Sequence, residues 1–154
     1  MKGVGIIAFP FGEIGEKVIG RITEEIAKKL DIPVFAHEHV HLDLDIKKVT
    51  RFYEDLDNPS TTLRMVRAAL RWAKENEITS LWLVAGRPHI YRCKRDLELE
   101  ARDVGLGIKI FMCEEIEKYR TRMWFQSVFF EAWWLIREQI LLKLPWSLYK
   151  KVAK

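Results

Sequence analysis

The chain predicts an α/β fold of the three-layer αβα, Rossmann-like kind, with a mostly parallel sheet and a long aromatic C-terminal helix. Three observations carry that expectation. Short apolar runs of strand length alternate with longer stretches whose apolar residues recur at helical spacing. The runs Val4–Phe9 and Ser80–Ala85 read as strands covered on both faces, as in a parallel sheet. Proline or glycine marks the junctions, at Pro10, Pro33, Gly86, Gly105 and Gly107.

Each element has its own warrant. Val4–Phe9 is the first strand, stopped by Pro10 and followed by a glycine-containing loop, Phe11 to Gly15. From Glu16 to Leu30, Val18, Ile19, Ile22, Ile26 and Leu30 form one helical face, and Lys17, Arg21, Glu24, Glu25 and Lys28 cover the other. Pro33 introduces a strand at Val34–His37, and Val49–Tyr53 is a shorter one. Ser60 or Thr61 caps a helix reaching about Asn76, with Leu63, Val66, Ala69, Leu70 and Ala73 inward and Arg64, Arg67, Arg71 and Lys74 on a wet face. The strand to Ala85 leads into a helix from His89 to about Val104, then a glycine-punctuated turn and the strand Lys109–Cys113. Such an order implies helices on both faces of the sheet. Met123–Leu144 reads as one long helix rich in Trp, Phe, Leu and Ile, and 145–154 as a basic tail.

Composition narrows the function classes. With 154 residues, 49% hydrophobic and 31% charged, 1–154 is sized for a single domain. The formal charge of +4 is matched by four lysines between Lys143 and Lys154, which leaves a neutral body and argues against nucleic acid as a partner. Cys93 and Cys113 have no metal-type spacing and fit reduced thiols in a cytoplasm. Two Asn and two Gln beside plentiful Lys and Glu lean toward a thermophilic source. Charged residues interrupt the C-terminal helix too often for a stable membrane insertion, so it is expected to pack on the sheet and on a partner subunit, giving a homo-oligomer. The terminal LPWSLYKKVAK could also rest on an anionic membrane surface, although a neutral body supplies no long-range attraction to one.

Ligands of open parallel sheets bind where strand carboxyl ends and helix starts converge. That edge is expected to gather the Pro10–Gly15 loop, His37 to His41, Thr61 and Thr62, and Gly86 to Arg92. Gly12 and Gly86 would let backbone approach a ligand, Thr61 and Thr62 offer hydroxyls, and Arg87 and Arg92 offset negative charge. His89 is the candidate hydrogen-bonding group or general acid, Glu13 and Glu38 are candidate bases, and Glu138 could orient an arginine from the last helix. The same Gly86–Arg92 joint also reads as an ordinary strand-to-helix turn with solvated arginines. The first loop lacks GxGxxG and GK[ST], which argues against nicotinamide cofactors and ordinary ATPase chemistry. In HEHVH, His37, His39 and His41 would share one side of an extended chain, opening a metal-dependent hydrolase as an alternative, but one contiguous row is poor tetrahedral geometry and no metal ligands are assigned.

The segment Pro59–Leu97 resembles the YdcF, SanA and ElyC family of Rossmann-like proteins. Ser60-Thr61-Thr62 opens a helix, an apolar strand follows, and His89 and Arg92 match that family's His-x-x-Arg. VFAHEHV occupies the place of its second-strand segment, with Glu38 at the acidic position, and Arg137 and Glu138 match an Arg-Glu pair of the final helix. Arg64 and Met65 stand where the family often has Glu-Asn. The resemblance implies a three-layer αβα fold and a pocket at the strand ends. It settles no reaction, and for one branch a nucleotide-like ligand such as S-adenosylmethionine is suggested; the cations at the sheet edge make a small anionic ligand, a nucleotide, adenosyl compound or phosphorylated metabolite, the expected one, with hydrolase or transferase chemistry as an open possibility. The alternative from another class is a non-catalytic protein using its aromatic C-terminal helix for dimerisation or membrane-surface contact.

Overall fold

The computed structural model describes residues 3–10, 12–54, 61–113 and 128–153; the side chains of 12–14, 46 and 128–131 lie outside that description. Five strands, β1 (Val4–Ala8), β2 (Val34–His37), β3 (Val49–Phe52), β4 (Ser80–Val84) and β5 (Lys109–Met112), form one sheet in the order β3-β2-β1-β4-β5. Every pairing among them is parallel. The chain is therefore α/β and Rossmann-like.

Period-two alternation along β1 sorts its side chains between two cores. Ile6 and Ala8 pack with Ile19 and Ile22 of α1 (Gly12–Leu30) on one face. Ile7 and Phe9 pack on the other with Val66 and Ala69 of α2 (Thr62–Glu75) and Ile90 and Leu97 of α3 (His89–Asp103). The inward set expected for α2 is buried throughout, and Met65 and Trp72 join it. Thr61 is its N-cap, with Oγ1 accepting from the Arg64 amide at 3.4 Å. Ser60, the other candidate cap, falls outside the described residues.

Three expectations need correction. The loop drawn from Phe11 to Gly15 is shorter, because α1 already begins at Gly12, four residues ahead of Glu16; Ile14, Val18 and Ile22 extend the same i, i+4 series backward. Pro88, whose fixed φ and missing amide proton suit the first position of a helix, instead precedes α3 as its N-cap. The basic tail contains a helix, α5 (Trp146–Val152), with Pro145 as its N-cap. The long C-terminal helix appears as α4 (Val128–Lys143); its expected start at Met123 lies outside the described residues.

One glycine sets how closely α1 meets the loop after β2. A Cβ built on Gly20 would stand 1.9 Å from the His41 carbonyl oxygen, so a side chain there would push the backbone of that loop away. The loop is held to the same helix by the Asp43 amide, which donates to Glu24 Oε1 at 2.5 Å.

Candidate site at the carboxyl edge of the sheet

The strand order reverses between β1 and β4, so the chain leaves their carboxyl ends toward opposite faces, the position at which open parallel sheets hold ligands. β4 delivers Gly86 and Arg87 to this point, and α3 starts with His89. Phe9, just past β1, meets the His89 ring edge-on at 6.2 Å, and Trp134 of α4 lies 5.9 Å from it. His89 is thus buried between an aromatic residue of the first strand end and one of the C-terminal helix.

Arg92, one turn further along α3, sits at the centre of a buried polar network. Its Nε and Nη2 donate to the two oxygens of Glu138 at 2.7 and 2.9 Å, a bidentate pair. Nη1 donates to Thr62 Oγ1 at 3.0 Å and to the Tyr149 hydroxyl at 3.1 Å, and Nη2 also reaches His89 Nδ1 at 3.1 Å. A guanidinium has five N–H donors, and the protein itself supplies an acceptor for each. Tyr149 passes the chain on, donating to Asp96 Oδ2 at 2.5 Å, while Arg95 binds Asp96 Oδ1 through Nε and Nη2. Arg95 Nη1 also donates to the carbonyls of Leu141 and Leu142, satisfying the last turn of α4. One row of α3 therefore holds both C-terminal helices.

The charges in this network follow from burial against partners. Burial pushes the Glu138 carboxyl up, but the bidentate Arg92 guanidinium and the neighbouring His89 outweigh it and bring it down to about 2, so it is ionised. Burial pushes His89 below its ordinary value of 6.5, and Arg92 adds to that, against the pull of Glu138. The ring is neutral near pH 7. Arg92 can only donate, so its contact with Nδ1, shorter than the 3.4 Å approach of Glu138 Oε2, places the ring proton on Nε2. Burial raises Asp96 despite its bonds from Tyr149 and Arg95, and it raises the Cys93 thiol far from reactivity.

Comparison with family models, curated proteins and solved structures finds no match. The geometry of the chain itself must carry the functional argument.

Of the residues expected at the site, His89, Arg92, Thr62 and Glu138 come together. Thr61 stands beside Thr62, and its hydroxyl donates to the Ala153 carbonyl at 2.7 Å. Gly86 is buried at the strand end, where its carbonyl accepts from the Ile90 amide at 2.9 Å; the Tyr91 amide donates to Pro88 at 3.2 Å. These hydrogen bonds occupy two amides of the first turn of α3. Arg87 is partly exposed and lies over the Tyr91 ring at 5.3 Å. Gly12 is the first residue of α1, and the Glu13 side chain lies outside the description. Glu38 turns to the end of β3, where Oε1 accepts from the Glu54 amide at 2.7 Å.

The alternating histidine row does not form. β2 ends at His37 and the chain turns at once, with the Val40 amide donating to the His37 carbonyl at 3.0 Å. His37 is buried and His39 is 56% exposed, their rings meeting edge-on at 4.9 Å. His37 Nδ1 accepts from the His39 amide at 3.3 Å, so Nε2 carries the proton toward Glu54 Oε1 at 3.1 Å. Among the described residues no group of three or more His, Cys, Asp or Glu side chains is placed to hold a metal ion.

Burial also lowers His37, against the pull of Glu54. A histidine whose folded pKa lies below its unfolded value binds its proton more readily in the unfolded chain, so stability falls as pH drops below about 6.5. We expect His37→Gln and His89→Gln each to flatten the loss measured by urea denaturation between pH 7 and 5. Each slope should change by at most about 1.4 kcal/mol per pH unit. Slopes identical to that of the parent chain would show that neither ring is held neutral.

Proposed function

We propose that the chain binds a small anionic ligand, a nucleotide, adenosyl compound or phosphorylated metabolite, in the crevice between the carboxyl ends of β1 and β4. The observation that supports this reading is His89: a buried, neutral histidine at the point where the strand order reverses, ringed by Phe9 and Trp134 and fixed by Arg92. Arg87, on the loop leaving β4, is the cation for the ligand. Arg92 is a positioning residue, since its donors hold Glu138, Thr62, Tyr149 and His89. His89 is the group that would meet a ligand oxygen, and in a hydrolase or transferase its protonated form would serve as the acid.

A thermal-shift series with adenosine monophosphate, S-adenosylmethionine and inorganic phosphate tests this. Saturation at about a hundred times Kd stabilises the folded form by about 2.7 kcal/mol, a rise of several degrees. Arg87→Ala and His89→Gln should abolish that rise. An unchanged melting temperature with every probe, or a rise that survives both substitutions, overturns the assignment.

A second reading, a non-catalytic interaction protein, is favoured by the saturation of Arg92 within the fold and by the outer face of α4.

A further inference from the structure

Helix α4 is apolar on nearly all sides, yet the fold covers one of them. Trp134 and Glu138 face α3 and the strand ends. On the opposite side Trp133, Ile136 and Ile140, spaced i, i+3, i+7, are 66, 52 and 56% exposed. Arg137, four residues after Trp133, and Lys143, three after Ile140, are exposed beside this stripe. Leu148 and Val152 of α5 are also exposed, with Lys151 between them. From 132 to 153 the sole acidic residue is Glu138, fully buried against Arg92. Lys150 is paired with Asp103 at 2.8 Å. Among the described side chains of these two helices, the charges turned outward are therefore cationic.

That pattern selects among occupants. A second copy docking about a two-fold axis would set the same cations against each other, with no carboxylate among the described side chains of this face to meet them. The 16 described residues of α4 are too few to cross a bilayer, and no helix among the described residues is long and apolar enough to span one. A helix with Trp and Ile on one side and Arg and Lys at its flanks suits the plane of a membrane interface, where the cation stems lie along the apolar stripe and their heads reach lipid phosphates. We propose that the outer face of α4 and α5 docks on a membrane surface bearing anionic headgroups. Its support is independent of the crevice ligand.

The test is co-sedimentation of the full chain with vesicles of phosphatidylcholine alone or with about one third phosphatidylglycerol, at low and high salt, beside light scattering without lipid. The expected result is a monomer that sediments with the anionic vesicles, remains in solution with the neutral ones, and is released by salt. Arg137→Gln with Lys143→Gln should weaken partitioning by roughly thirtyfold, about fivefold for each cation. Ile136→Ser with Ile140→Ser should weaken it by at least tenfold through lost apolar burial. Equal sedimentation with both vesicle types, or with neither, overturns the proposal. So does a dimer in light scattering that Ile136→Ser with Ile140→Ser dissociates, which would assign the face to a second copy. All four positions are exposed, and an unchanged circular dichroism melting curve confirms that the variants remain folded.

Discussion

Arg92→Ala is expected to cost about 3–5 kcal/mol of stability, read as the shift in a urea unfolding curve. Its size comes from what is left behind. Glu138 is fully buried and ionised, and Arg92 supplies two of its hydrogen bonds. Removing the guanidinium strands that buried carboxylate and the buried Tyr149 hydroxyl, and takes a donor from the partly buried Thr62 Oγ1. Arg92→Lys should recover only part of the loss, since an ammonium cannot reproduce a planar fork serving four side chains. Replacing both partners, Arg92→Met with Glu138→Leu, should cost less than either single change, because no charge is then left unpaired. A loss below about 1 kcal/mol for Arg92→Ala would mean the clasp contributes little.

The second large effect belongs to Tyr149, which is fully buried and stacks beneath the Arg95 guanidinium at 4.5 Å. Tyr149→Ala should cost about 3–5 kcal/mol, as buried aromatic truncations do. Tyr149→Phe keeps the ring but leaves Asp96 Oδ2 without its Tyr149 donor and one N–H of Arg92 Nη1 without its acceptor, and should cost about 1–3 kcal/mol. The alanine variant should also raise hydrogen exchange through α5, whose other ties are Trp146 and Lys150 to Asp103 and Ala153 to Thr61. Equal losses for the two variants would place the whole contribution in the hydroxyl and none in packing.

What could be read from the residues was the part governed by local periodicity. Strand lengths, the inward set of α2 and the Thr61 cap follow from spacing within a dozen residues, and they stand where expected. His89 and Arg92 were visible because both lie on the first turn after an apolar strand. Asp96 could have been added, since it follows Arg92 by four and His89 by seven and so shares their helix face. Tyr149 carried no such signal. It reaches Arg92 from 57 positions away, and its neighbours Lys150 and Lys151 made the segment look solvated. The histidine row was misplaced for a related reason. Alternation assumes an extended chain, and β2 stops at His37 because the following residues fold back against α1, into the notch that Gly20 leaves.

The sheet is two local halves sewn together at its middle. β1 and β2 are neighbours through α1, and β4 and β5 through α3, but Ile6 must find Trp82 across half the length of the chain. Joining distant positions is the entropically slow closure in assembling a parallel sheet. The hollow that holds His89 lies on that seam, and whatever loosens the seam opens the hollow with it.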